Sequence, residues 1–550
     1  MKNTRITLMA LCLMALAWGG TSCKKEKNGN IPAEGEMMTI GADIDNTGVG
    51  DTKTFLCPFA DGVKVKWSDG EKFSLFGNGS TSGSEFVIQA GVGDVTGRFL
   101  GETPAGGLPY FATYPKEGTF DGANTFTFAV SATVTYEAET DAGTSENFIS
   151  VQKHNAPMVG CSADGKHLTF HNAMSTILLD LKGGAKVTKI VLTDLSGKNL
   201  NGTLTVTVDG DGNITNTTMT GGTNTLTINL GEGVALSKEK YSMFCISVPQ
   251  GAFAGDTGSK NVKIELYDVT GSVIKTITKG LAAGVAANGA YQIVEDRVRP
   301  MFLSGRFTVY AQGVGYRTIY FTRGNLWYDG SEFHFEEEQW IANTSNWNNT
   351  HLGHFFWGND VSTAVRQNAP SSMGGTLFTN LQVQPTDSRR YYPNPNFNVE
   401  GQTNKYAVIG FDDYGHLLAR TSTTSGASNK LLYGMGTVNG VKGIILLPDD
   451  WNAKKTFNYG AKKCNQNVFT VDQWYDMEDD GAVFLPITGV GYGVSSGKIT
   501  ELVTGEYWSA FYSSPMGGAA TLWFEDNDEP GTGWCSEEDW LSIRLVYYPQ

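Results

Sequence analysis

The first half of the chain alternates. Val63-Lys64-Val65-Lys66-Trp67, Leu204-Thr205-Val206-Thr207-Val208, Leu226-Thr227-Ile228-Asn229-Leu230 and Val262-Lys263-Ile264-Glu265-Leu266 each step between apolar and polar residues. A period of two puts one face of a strand in a core and the other in water. Turn signals break the runs at Asp69-Gly70, Asp121-Gly122, Asp164-Gly165, Asp209-Gly210 and Gly221-Gly222. Many short strands at this spacing predict β-sandwiches. The alternating region is long enough for two of them, at 38–163 and 164–298.

The rhythm changes at Val298-Arg299-Pro300. Ten of the twelve tryptophans follow Met301. Apolar runs become short and irregular, as in Gly443-Ile444-Ile445-Leu446-Leu447-Pro448 and Gly481-Ala482-Val483-Phe484-Leu485-Pro486, and Trp474 to Glu478 predicts a short helix. Residues 302–549 thus predict a separate, loop-rich α+β domain with an aromatic core. The fold class expected for the whole is mainly β.

The N-terminus carries a different pattern. Lys2 and Arg5 precede the apolar run Leu8 to Trp18, then Gly19-Gly20-Thr21-Ser22 lead to Cys23. The run is too short to span a bilayer, which takes about 20 apolar residues. The order is that of a secretory signal, here 1–22. It resembles a bacterial lipobox, which implies acylation of Cys23 and anchoring at the outer membrane, exposed on the cell surface. Residues 23–37 then form a polar tether.

Net charge is -15. Such a chain repels nucleic acid, and its contact with the membrane is expected through lipid alone. Besides Cys12 and Cys23, five cysteines remain: Cys57, Cys161, Cys245, Cys464 and Cys535. None forms a CxxC pair, so neither a zinc clip nor a redox pair is suggested. Cys464 with Cys535 is one candidate disulfide for an oxidising envelope; two small buried residues is the other reading.

Several segments resemble fimbrillin-like proteins in order. They are Val65-Lys66-Trp67-Ser68-Asp69-Gly70 running to Phe76, Tyr110-Phe111-Ala112-Thr113-Tyr114-Pro115, Leu168-Thr169-Phe170-His171-Asn172-Ala173-Met174-Ser175, Tyr241 to Pro249, and Gly289-Ala290-Tyr291. That family comprises surface lipoproteins that build, cap or anchor the fimbriae of Bacteroidales-type bacteria. The resemblance implies fimbrillin-type sandwiches and assembly with other fimbrillin subunits by strand donation. Shaft subunits of the family have an Arg cleavage point ahead of the first sandwich. Here no Arg lies between Arg5 and Arg98, so retention of the lipid is expected. The second half, with Tyr320 to Tyr328, Leu446-Leu447-Pro448-Asp449-Asp450-Trp451, Gly481 to Pro486, Tyr507-Trp508-Ser509 and Ser542-Ile543-Arg544-Leu545-Val546, is similar to a surface module related to C-type lectin-like folds.

Candidate chemistry is sparse. Gly493-Val494-Ser495-Ser496-Gly497 fits G-x-S-x-G, but no helical stripe follows it, so a loop is expected. Asp209 to Asn213 opens like a calcium loop yet has Ile214 and Thr220 where an EF-hand needs Gly and Glu, so a hairpin turn is expected. His351 and His354 lack the Glu of an H-E-x-x-H helix. No enzyme is expected.

Two acidic runs beside tryptophans remain. Trp523, Glu525, Asp526, Asn527, Asp528, Trp534, Glu537 and Trp540 mix aromatic faces with carboxylates and an amide, the combination that holds sugars. In lectin-like folds, ligands usually dock on the loops before the last strand. The other reading is a solvated acidic face beside core tryptophans. No cofactor is expected; the acidic oxygens could serve calcium, but the family's calcium signatures are missing. These features together predict a fimbrial tip or accessory adhesin for a glycan or a surface protein. The alternative is a stand-alone glycan-binding outer-membrane lipoprotein.

Overall fold

The computed structural model describes residues 31–45, 56–59, 62–65, 67–135, 148–150, 156–255, 259–269, 271–281, 284–285, 289–311, 315–329, 333–342, 351–355, 399, 406–423, 428–451, 456–492, 499, 502–513, 518–536 and 539–547. The signal, Cys23, the Ser495 loop and Glu537 lie outside them. The fold is mainly β, in several sheets. Among the described residues, no helix is long and apolar enough to cross a membrane.

The N-terminal unit closes on itself. Strands Met37–Ile44, His167–Asn172, Met158–Ser162, Gly107–Tyr114, Lys72–Asn78, Gly83–Ala90 and Thr96–Glu102 form a barrel in that order. Met37–Ile44 seals it, antiparallel to Thr96–Glu102 and parallel to His167–Asn172. Along this strand Met38, Ile40, Ala42 and Ile44 point inward. Trp67 stands at the centre, edge-on to Phe99, Tyr114 and Phe170. Its indole N–H donates to the Ala42 carbonyl at 3.3 Å. Of the expected strand through Trp67, Gly62–Val65 is described as strand, and Trp67 itself lies in the barrel's apolar cluster.

The expected cut between 163 and 164 does not match the pairing. His167–Asn172, assigned above to the second sandwich, belongs to the barrel. Thr125–Val130 leaves the barrel and pairs with Gly202–Val208. Thr133–Thr135 and Phe148–Ser150 also cross over, pairing parallel with Thr225–Ala235 and Ser242–Pro249. Phe76 and Phe111 of the barrel therefore share an apolar cluster with Phe126, Phe128, Leu204 and Val206. Alternation shows which face of a strand is buried but not which strand lies beside it.

The second unit contains a five-stranded sheet and a four-stranded sheet. The predicted strands appear as Gly202–Val208, Thr225–Ala235 and Val262–Tyr267. The Asp209 segment is a hairpin turn, as expected. Asp209 Oδ1 accepts the N–H groups of Asp211 at 3.0 Å and Asn213 at 2.9 Å. Gly183 marks a bulge against Ala290–Val298, where a side chain would meet the Val298 carbonyl at 2.1 Å.

Among the described residues beyond Val298 lie smaller sheets and two α-helices, α1 (Phe411–Ala419) and α2 (Val471–Asp479). The predicted helix at 474–478 is thus longer, because Thr470 caps it. Thr470 Oγ1 accepts the Gln473 N–H at 3.3 Å, and Gln473 Oε1 accepts the Thr470 N–H at 3.0 Å. This reciprocal box satisfies two end donors. α1 had no sequence signal strong enough to predict it.

The C-terminal module is not a separate bead. One apolar cluster runs from Ile177 and Ile264 of the second unit through Val298 and Met301 to Leu326, Phe355, Trp508 and Leu541. A buried polar network crosses the same junction. Glu478 on α2 accepts from Arg297 at 2.9 Å, from Arg299 at 2.9 and 3.2 Å, and from Gln339 at 2.9 Å. Gln339 Oε1 in turn accepts from Arg544 at 2.8 Å and from the Phe484 N–H at 2.8 Å. The sequence break at 298–300 marks a change of core composition across a continuous core.

Candidate functional site

The tryptophan-acid segment forms a hairpin of Gly518–Glu525 and Gly531–Cys535. Trp523 lies opposite Gly531 on one side and opposite Glu506 on the other. A side chain at Gly531 or Gly533 would approach the Trp523 indole to 3.2 or 2.9 Å, so the two glycines make room for the ring. Trp534 lies opposite Ala520. Directly opposed residues share a face and neighbours along a strand alternate. Ala520 and Trp523 are three apart, so Trp523 and Trp534 project from opposite faces. Trp534 packs on Phe411 of α1 and on Phe511, with ring centroids 5.2 and 5.4 Å apart. Trp540 is 1% exposed. The expected cluster is therefore divided: Trp523 and Trp534 are both half-buried but on opposite faces of the hairpin, and Trp540 is in the core.

The acidic turn is tied to the segment around residue 463. Asp526 Oδ2 pairs with Lys442 at 2.8 Å, and Oδ1 accepts the Cys464 N–H at 2.8 Å. These bonds, Lys442 first, hold its carboxyl below the usual range. Asn527 takes a left-handed φ of 82° and donates its N–H to the Lys462 carbonyl at 2.9 Å. Asp528 accepts the Glu529 N–H at 2.7 Å, and Glu529 pairs with Lys462 at 2.7 Å. Glu525 is partly exposed at the strand end. Among the described residues, no three His, Cys, Asp or Glu side chains gather to hold a metal ion.

The Cys464–Cys535 disulfide does not form; both are free thiols. Cys464 sits in a short turn with Sγ toward the Gly443 carbonyl. Cys535 donates to Glu506 Oε1 at 2.9 Å, and Thr521 donates to the same oxygen at 2.8 Å. Burial, then the Glu506 charge, push the Cys535 thiol pKa far up. Burial likewise lifts Cys464 to about 11. The two histidines also part. His351 stacks on Trp327 at 4.0 Å and meets Glu336 at 2.7 Å. His354 is buried, meets the Gly489 carbonyl at 3.2 Å, and is pushed down to about 4 by burial.

Two clefts lie beyond the acidic turn, the larger one touching it through Lys462, among residues that the sequence reading did not single out. One, of 740 Å³, is lined by Lys430, Lys462, Lys463 and Tyr459; the other, of 410 Å³, by Phe469, Gln473 and Asp476. Asn458 and Gln466 border both. Only the exposed lysines could have flagged them, and Lys430 is remote from Lys462 in sequence.

No family model matches this chain. No curated protein matches it. Among solved structures, the chain is similar to the tip fimbrial protein Mfa3 from Porphyromonas gingivalis with C-terminal truncation, at 10% identity and a TM-score of 0.20, over 47% of this chain and 94% of that one. It is also similar to a fimbrial assembly protein from Parabacteroides distasonis, at 8% identity and a TM-score of 0.20, over 52% and 96%. No conclusion about this chain rests on those alignments.

Proposed function

We propose that this chain is a surface-exposed outer-membrane lipoprotein of fimbrillin type, acting as a fimbrial tip or accessory adhesin. In this reading Cys23 carries the lipid, the two β units make a stalk, and the C-terminal module meets a glycan or a surface protein. The observation that carries it is the order of the fimbrillin-like segments between 65 and 291, followed by an aromatic module that shares a core with the second unit. A head built into its stalk transmits force without a hinge. The face offering Trp523 and Glu525 remains one proposed contact surface.

One observation favours the stand-alone reading. The barrel is closed, so its strands have no free edge to accept a donor. Strand exchange would then use the second unit, where Val273–Lys279 and Phe148–Ser150 end their sheets. The test mixes the mature chain with candidate fimbrillin subunits from the same cell. A tip role yields ladders that resist heat and detergent. Absence of any ladder, with the chain still at the cell surface, establishes the stand-alone binder instead. Palmitate label on wild type but not on Cys23→Ser checks the anchor, and label on both refutes it.

A further inference from the structure

The two clefts of the C-terminal module share a border at Asn458 and Gln466. Net charge is -15, yet one cleft is lined by Lys430, Lys462 and Lys463. Lys462 is neutralised by Glu529 at 2.7 Å. Lys430 lies 5.1 Å from the centre of the Tyr459 ring. Neither Lys430 nor Lys463 has a carboxylate partner among the described residues. Lys430 and Lys463 beside an aromatic ring make the cationic end of the groove, with Glu529 at Lys462 and Asp476 in the other cleft as its acidic neighbours.

The shared border and the second cleft supply amides held at one end. Asn458 Nδ2 donates to the Gln466 carbonyl, and Gln466 Oε1 accepts the Lys463 N–H at 3.4 Å. Gln473 Oε1 is occupied by the α2 cap at 3.0 Å. That leaves the side-chain oxygen Oδ1 of Asn458 and the amino groups of Gln466 and Gln473 for a ligand, on side chains whose other bonds restrict their rotation. Beneath them Asn467 is buried and donates to the carbonyls of Met435 and Asn458, both at 3.0 Å. The wall is therefore rigid. The 740 Å³ cleft falls in the range of about 300–1,000 Å³ typical of ligand pockets.

We infer that this groove binds an anionic polysaccharide, its carboxylate or sulfate groups at Lys430 and Lys463 and its hydroxyls along Asn458, Gln466 and Gln473. Lysine recognises the charge as a point and amides recognise hydroxyls by exchange of donors and acceptors. The inference rests on the glycan-binding reading above but places the contact on the Lys462 side of the acidic turn, among residues other than Trp523 and Glu525.

The test uses the full mature chain made soluble by Cys23→Ser, with calorimetry against four probes: a sulfated oligosaccharide, an oligo-uronate, a neutral dextran oligomer and an oligo-glutamate peptide. At least one anionic sugar should bind, weaken as salt screens the contact, and lose at least tenfold in affinity with Lys430→Ala/Lys463→Ala. Gln473→Ala should lose severalfold, and Lys198→Ala, an exposed lysine of the second unit, should change nothing. Thermal melts of the variants should superimpose on wild type. Anionic-sugar binding that is unmoved by the double variant overturns the groove while sparing glycan binding. Equal loss with Lys198→Ala, preference for oligo-glutamate, or no binding to any probe also overturns it. The subunit ladder assay is independent of every one of these outcomes.

Discussion

Glu478 is the residue whose removal tests the junction most directly. It is 4% exposed and accepts from Arg297, Arg299 and Gln339. Glu478→Ala leaves Arg297 over the Tyr475 ring and Arg299 with Glu338 at 3.1 Å. Removing one partner of a buried pair costs about 3–5 kcal/mol, and with Glu338 still in place the expected loss is about 3 kcal/mol. Urea unfolding can be followed by tryptophan fluorescence, which reports mainly on the module past Met301. Labelling of Cys245, buried in the second unit, gives an independent readout. Wild type should show one transition by both probes. Glu478→Ala should move fluorescence to lower urea and separate the two. A loss below about 1 kcal/mol, the value of a surface pair, or two separate transitions in wild type, would refute a welded junction.

The same carboxylate sets a pH dependence. Burial alone would raise its pKa, but Arg299 and Arg297 outweigh it, so the folded pKa lies below the ordinary 4.5. A depressed carboxylate stabilises above its unfolded pKa, and that contribution fades as pH falls through 4.5 toward the folded value. Wild type should therefore lose stability in that acid window, and Glu478→Gln should lose less of it. Trp534→Ala, which strips α1 and Phe511 of a neighbour, should cost about 2 kcal/mol by urea melts, half the usual loss for a fully buried aromatic. Trp523→Ala should cost less, since its ring lies over Gly531 and Gly533, which offer no side chain, whereas Trp534 packs on two aromatic rings; a reversed order would contradict the facing of the hairpin. Iodoacetamide at neutral pH should leave Cys464 and Cys535 unmodified until the chain unfolds, because thiols with raised pKa are protonated there; rapid native labelling, read by mass spectrometry, would refute it. Gly183→Ala should destabilise by about 2–4 kcal/mol, since the obstacle is backbone and cannot rotate away.

Local physics was readable without the fold. Alternation at 204–208, 226–230 and 262–266 announced strands because a side-chain period of two is set within each strand. Asp209 announced its turn because its carboxylate satisfies the N–H groups just after it. The α2 helix carried its own cap at Thr470 and Gln473. Pairing partners were not readable, because strand choice depends on burial summed over the whole assembly. Tertiary structure alone closed the barrel with His167–Asn172 and sent Thr125–Val130 across to Gly202–Val208. It set Trp523 and Trp534 on opposite faces through a hairpin register that no local pattern encodes. It also set Lys430 and Lys463 on one cleft and brought Arg299 onto Glu478, arrangements of distant segments that form only once the chain between them has folded.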